Sequence, residues 1–240
     1  MYIYGRNPVR EAYIAGKTVD KIYVQKGEFD PMLSRVLKLA KEARTVVSYV
    51  DKNMLDKLAN GGNHQGIVAA VTDFSYCDVE DILNLAKGKG EDLLLVILDG
   101  ITDPHNLGAI IRSAECFGAH GIVIPKHRSV SVNDTVVKVA CGATEHMLIA
   151  KVTNVNDAIR WLKEQNVWVY ATDFDGKAPK DANLTGNIAL VIGSEGEGIH
   201  RLTKELCDDT LTIPQFGKVN SLNASVAAGI VLYEAVRQRH

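Results

Sequence analysis

The 240-residue chain lacks the features that announce several protein classes. Its four cysteines, Cys77, Cys116, Cys141 and Cys207, lie far apart and form no CxxC pair. Such spacing argues against a disulfide framework or a zinc site and for reduced thiols. Cys116 and Cys141 sit in apolar, helix-like surroundings and read as small core residues. No apolar run approaches the roughly 20 residues that cross a bilayer. The opening MYIYGRNPVREA has no apolar signal-peptide core, so a cytoplasmic protein with no membrane partner is expected. Walker A, HExxH and GxSxG patterns are missing, and so are clustered metal ligands, so no metal is expected. His105, His120 and His127 have no partner at metal spacing and read as structural. A net charge of −2 does not announce a nucleic-acid partner. Residues 1–75, however, hold 11 Lys+Arg against 8 Asp+Glu, and the remainder holds 16 against 21. That asymmetry hints that the first part faces something anionic.

What is present is alternation of strand-like and helix-like segments, the pattern of an α/β protein. Residues 1–72 read as a small α/β unit. Asn7-Pro8 looks like an N-cap and first helical residue, strands are expected near 21–24, 46–50 and 66–71, and a helix over 31–43. Residues 73–92 are polar, contain Gly88-Lys89-Gly90 and read as a linker with at most one short helix. Residues 93–240 open on Leu93-Leu94-Leu95-Val96-Ile97-Leu98, a continuous apolar run that suits a parallel strand covered on both faces. A mainly parallel sheet with helices on both sides is expected there.

Three turns in this second part carry glycine and small polar residues: 99–106, 193–198 and 214–225. If the sheet is parallel they emerge at one edge, where α/β proteins bind ligands. Together they offer Asn106, Arg112, Glu195, Ser221, Asn223 and Ser225. Each has a plain structural explanation as well. Asp103 or Asn106 can cap a helix, and so can Asn223 or Ser225. Arg112 can pair with Glu115. Glu195 can sit in a solvated loop. The glycine turn is GxxGxG, not the dinucleotide fingerprint GxGxxG. No acidic residue stands where a dehydrogenase would hold its ribose.

Taken together, Asn106-x-Gly108-x-x-x-Arg112, Gly193-Ser194-Glu195-Gly196, and Ile213-Pro214 followed by Ser221-Leu222-Asn223-x-Ser225 resemble the three signature motifs of the SpoU (TrmH) family. These are RNA ribose 2′-O-methyltransferases of the SPOUT superfamily. The resemblance covers essentially the whole chain. Gly5-Arg6-Asn7-Pro8-Val9-Arg10-Glu11-Ala12 and His64-Gln65-Gly66 resemble the small substrate-binding domain of the RlmB-type members, which methylate a guanosine of large-subunit (23S) ribosomal RNA.

The resemblance implies a parallel sheet ending in a C-terminal trefoil knot, a feature sequence rules would never predict. It implies S-adenosylmethionine as methyl donor, with Gly193, Ile213 and Leu222 lining its pocket. It implies a catalytic set of Asn106, Arg112, Glu195, Ser221 and Asn223. Family proposals make the arginine the base; a guanidinium is hard to deprotonate, so Arg112 is expected to hold the target phosphate, with Asn106, Glu195 and Asn223 fixing it and the ribose. A homodimer through the last apolar helix is implied. In the small unit, Arg6, Asn7, Arg10, His64 and Gln65 are the candidate RNA contacts, although Asn7 can simply cap and Arg10 can simply pair with Glu11. The alternatives are a tRNA methyltransferase of the same family and a non-catalytic RNA-binding protein.

Overall fold

A computed structural model describes residues 1–27, 30–72, 74–218 and 221–240. Asp73, at the head of the expected linker, and Asn220, in the loop before the last helix, lie outside them. The chain divides into two units, Met1–Ser75 and Tyr76–His240.

The first unit runs β1 (Tyr2–Tyr4), α1 (Arg6–Ile14), β2 (Thr18–Gln25), α2 (Pro31–Glu42), β3 (Val46–Val50), α3 (Lys52–Leu58) and β4 (Ile67–Thr72). Its sheet order is β1-β4-β2-β3, with β2 and β3 parallel and the other pairings antiparallel. α1 and α2 bury Val9, Ala12, Leu33, Val36 and Ala40 with Ile22, Val24, Ile67 and Ala69. Two local expectations change. The cap of α1 is Gly5, at φ 91°, and Asn7 is the second helical residue. A glycine takes that backbone freely, so the helix starts two residues earlier than the Asn-Pro pair suggests. β1 is too short to leave a periodic signal, and its pairing to β4 makes it a strand.

The second unit runs α4 (Val79–Lys89), β5 (Leu94–Asp99), α5 (Pro104–Cys116), β6 (Gly121–Pro125), α6 (Asp134–Ala140), β7 (Leu148–Val152), α7 (Val155–Glu164), β8 (Trp168–Lys177), β9 (Ile188–Gly193), α8 (Arg201–Leu206), β10 (Asp209–Leu211) and α9 (Ala224–Arg239). The sheet order is β10-β8-β9-β5-β6-β7, and every pairing in it is parallel. β5 is buried along its whole length. Its Leu95 and Ile97 share a core with Val169, Ala171, Ala189 and Val191, under α4 and α7. The alternate residues Leu94, Val96 and Leu98 are equally buried, with α5 and α9 on that side. Two-sided burial is why these strands read as unbroken apolar runs.

The stretch expected as linker contains α4. Asp78 and Asp81 close a capping box at its start, and Gly90, at φ 69°, ends it. Its Ile82, Leu83 and Ala86 join the core. Gly121 opens β6 directly beneath it, and a Cβ there would strike the Ile82 side chain. The charged exterior of α4 hid a one-sided apolar face.

Cys116 and Cys141 are exposed, contrary to the core placement expected of them; Cys77 and Cys207 are half-buried. Cys116 is the last residue of α5, and Cys141 is the left-handed cap of α6, at φ 51°. Helix ends face solvent even where their neighbours are apolar. Burial pushes the Cys207 thiol up to about 12 and the Cys77 thiol to about 11.

Arg239 fastens the end of α9. Its guanidinium donates to the carbonyls of Asp92 (2.9 Å), Leu93 (3.1 Å), Leu184 (3.1 Å) and Gly186 (2.6 Å). The Leu184 N–H also donates to Gln238 Oε1 at 2.9 Å. Among the described residues, no helix is long and apolar enough to cross a membrane.

Candidate active site

β5 and β9 are neighbours, and Asp99 stands opposite Gly193 where both strands end. The turns that follow therefore start side by side. After β5, the Asp103 side chain accepts the His105 N–H at 3.0 Å and caps α5, with Pro104 at its first position. Helix thus begins before Asn106, not after it, and holds that side chain nearly buried, 7% exposed. After β9, the backbone closes on itself through Ser194 N–H to Gly198 O and Gly198 N–H to Ser194 O, each 3.0 Å. A Cβ on Gly193 would strike the backbone of Gly198 and Ile199, so only glycine fits this closure. After β10, the loop from Thr212 leads to Asn223, which caps α9. Its Oδ1 accepts from the Ser225 N–H (3.0 Å) and hydroxyl (2.6 Å).

Three side chains from these turns meet. Asn106 Nδ2 donates to Glu195 Oε1 at 3.0 Å. Asn223 Nδ2 donates to Asn106 Oδ1 at 2.8 Å and also to Glu195 Oε1. The Ala224 N–H approaches the same carboxylate oxygen at 3.4 Å. One carboxylate thus ties together segments 89 and 28 residues away along the chain. A hydrogen bond to a charged acceptor is about twice as strong as a neutral one, so this junction is stiff.

The glycine turn separates two cavities. One, of about 390 Å³, is lined by Gly193, Glu195, Ser221, Leu222, Ile213 and Leu211, with Asp173 and Phe174 at its edge. The other, of about 560 Å³, is lined by Gly100, Asp103, Asn106, Arg128, Glu195 and His200. Ser194 through Glu197 belong to both walls. Both volumes lie in the range of small-ligand sites.

Arg112 does not join the junction. It is exposed, and its Nη1 lies 3.5 Å from Cys141 Sγ. Six residues along a helix turn through about 240°, so Asn106 and Arg112 cannot share a face. Asn106 faces the start of α9. Arg112 shares its side with Gly108, four residues earlier, which packs so closely on α6 that a Cβ would strike Val139 and the Val136 carbonyl. The expectation that Glu195, Asn106 and Asn223 grip this arginine therefore fails here; those three grip one another.

In the first unit, Arg6, His64 and Gln65 line a polar cavity of about 620 Å³ with Lys26, Lys52 and Asp56. Arg6 donates from Nε to the Gln65 carbonyl at 2.9 Å and pairs with Asp30. His64 accepts the Gly66 N–H at Nδ1, so its proton sits on Nε2, 3.1 Å from Asp56 Oδ1. Asn7 and Arg10 stand apart from this cavity: Asn7 is exposed on α1, and Arg10 pairs with Glu11 at 2.5 Å.

The profile of the SpoU rRNA methylase family matches residues 93–233. A second profile, RNA 2′-O ribose methyltransferase substrate binding, matches residues 2–77. The chain belongs to the SpoU family. A Staphylococcus haemolyticus protein, provisionally named a TrmH family tRNA/rRNA methyltransferase, is 43% identical over 239 residues, 99% of this chain and 96% of its own. Among solved structures, the SpoU methyltransferase AviRb from Streptomyces viridochromogenes, in complex with AdoMet, is 28% identical with a TM-score of 0.63, covering 100% of this chain and 90% of its own. An AdoMet-bound rRNA methyltransferase from Sinorhizobium meliloti is 26% identical with a TM-score of 0.60, covering 98% and 86%.

Within this SpoU-family chain, the smaller cavity has the chemistry for a cationic, partly apolar molecule. Leu211, Ile213 and Leu222 give it an apolar wall, while Asp173, Glu195 and Glu197 are its only charged lining groups among the described residues. Burial alone would raise the Asp173 carboxyl; the Lys204 ammonium, 2.6 Å away, outweighs it and holds that carboxyl below the usual range. Asp173 and Phe174 escaped the sequence reading because they lie inside β8, outside the three turns singled out. The readable signal was the polar run Asp173-Phe174-Asp175-Gly176, which continues β8 beyond its apolar part.

Proposed function

We propose that this SpoU-family chain transfers a methyl group from S-adenosylmethionine to a ribose 2′-hydroxyl of structured RNA. The observation that carries this reading is the Asn106–Glu195–Asn223 junction in the wall between two cavities. The smaller cavity takes the donor. Gly193, Ile213 and Leu222 hold the adenosyl part by backbone and apolar contacts, and the carboxylates favour the sulfonium, which carries its positive charge into the site. The larger cavity takes the target nucleotide. For transfer the 2′-oxygen must reach the methyl carbon directly, past the Ser194–Glu197 edge that both cavities share, its bond to carbon forming as the carbon–sulfur bond breaks. Much of the rate comes from holding two reactants in line, so a rigid wall is itself catalytic equipment. Asn106, Glu195, Asn223 and Ser221 set that line; the exposed Arg112 holds a phosphate of bound RNA.

Further parts of the reading rest on the family. The cavity with Arg6, Lys26, Lys52, His64 and Gln65 serves RNA choice, since structured RNA is recognised through phosphates, unstacked bases and 2′-hydroxyls. The target is a guanosine of 23S rRNA, and the enzyme works in the cytoplasm. The C-terminal segment is threaded as a trefoil knot, as the SpoU-family fold implies. The chain pairs with a second copy through α9, where Val226, Ile230 and Tyr233 are exposed at helical spacing.

Deleting the gene and mapping 2′-O-methyl groups across cellular RNA tests the substrate. One guanosine of 23S rRNA should lose its modification. Loss confined to tRNA would replace rRNA with the tRNA reading, and an unchanged map would contradict both.

A further inference from the structure

The proposed transfer leaves one proton without an owner. A ribose 2′-hydroxyl must shed it as its oxygen attacks, and none of the motif residues is a good acceptor. Arg112 faces α6 and its guanidinium is hard to deprotonate, Asn106 and Asn223 are carboxamides, and Glu195, whose Oε1 takes both carboxamides, is a weak base held to the junction. The larger cavity holds another group. Asp99, at the end of β5, is a carboxylate only 5% exposed. Its Oδ2 accepts the His200 N–H at 2.9 Å, and its Oδ1 lies 2.8 Å from His200 Nδ1. A buried carboxylate at that distance keeps the proton on Nδ1 and leaves the Nε2 lone pair free. No described residue bonds that Nε2, and the ring is 46% exposed where it lines the cavity with Asn106 and Glu195.

We propose that His200, oriented by Asp99, accepts the 2′-hydroxyl proton during methyl transfer. The inference rests on the methyl-transfer reading and adds its base. The 2′-oxygen bonds the methyl carbon, the carbon–sulfur bond breaks, and its electrons stay on sulfur, which leaves as neutral S-adenosylhomocysteine. The hydroxyl proton moves to Nε2, giving an imidazolium paired with the Asp99 carboxylate. Asp99 bonds the ring, and the other charged groups lining its cavity are Asp103, Arg128, Glu195 and Glu197. The imidazolium later gives its proton to water.

The test is single-turnover transfer from tritiated S-adenosylmethionine into total RNA from a strain lacking the gene, with full-length enzyme in excess, over pH 5.5 to 8.5. The wild-type rate should rise with pH and then level off, as a rate that needs a neutral base does. His200→Ala should be about 10² to 10⁴ slower, the span typical of a lost general base, and should lose that rise. Added imidazole should restore part of the rate, and donor and RNA affinities should stay within about twofold. His200→Gln, which keeps the backbone bond to Asp99, should be equally slow and melt with the wild type. A His200→Ala enzyme with wild-type rate and pH profile would overturn the proposal, as would a loss confined to RNA or donor affinity. A wild type that transfers nothing would sink the methyl-transfer reading as well, so the two failures are distinct.

Discussion

Glu195→Ala should slow methyl transfer by about 10²-fold while leaving a folded enzyme that still binds donor. The reasoning runs through geometry, not charge alone. Glu195 Oε1 is the shared acceptor for Asn106 and Asn223, and it approaches the first N–H of α9. Without it, Asn106 Nδ2 is left nearly buried and without its acceptor. An orphaned buried donor costs about 1–3 kcal/mol, so the melting temperature should fall by several degrees. The larger effect is on rate. The carboxylate joins the ends of β5 and β9 to the start of α9, and a misplacement of about 1 Å can cost 10²-fold. Stopped single-turnover kinetics and a thermal melt on one preparation read both quantities. Glu195→Gln should lie between alanine and wild type, since an amide oxygen can still accept. A Glu195→Ala enzyme with full rate would mean that the junction only holds the fold.

Gly193→Ala should have the opposite signature: donor binding lost first. The added Cβ meets the backbone of Gly198 and Ile199, which has no rotamer in which to retreat. The turn must open, and overpacking of this kind costs about 1–3 kcal/mol. Since about 1.4 kcal/mol is tenfold in affinity, the donor dissociation constant should rise about 10- to 100-fold. Calorimetry with S-adenosylmethionine measures it directly. Unchanged affinity would place the donor somewhere other than against this turn. The glycine at 196 is a useful control, because a Cβ there meets nothing within 4 Å and it is not constrained to positive φ.

The contrast between these glycines shows what the sequence could and could not tell. The parallel core was readable, because strands buried on both faces must be apolar throughout, as Leu94 to Leu98 and Ile188 to Ile192 are. The three turns were readable as glycine-rich and polar. Which atoms bond across them was not, since Asn106 and Asn223 lie 117 residues apart. The orientation of Arg112 needed only helix geometry, but the family motif grouped it with Asn106 and hid the angle between them. Asp99 and His200 were missed for a plainer reason. One closes an apolar strand at the head of the 99–106 turn and the other precedes a short helix, and nothing in the sequence pairs them until β5 and β9 are laid side by side. In the first unit, Gly5 displaced Asn7 as cap, and Arg10 found Glu11, both local events that composition does not reveal.

The central claim is that two cavities sharing one wall bring a sulfonium methyl to a ribose oxygen. The most direct measurement is to incubate the full chain with tritiated S-adenosylmethionine and total RNA from a strain lacking the gene, digest the RNA to nucleosides, and separate them. The label should appear in a single 2′-O-methylated nucleoside, and in no base-methylated one. Label on a base, or RNA bound without any label, would contradict the account.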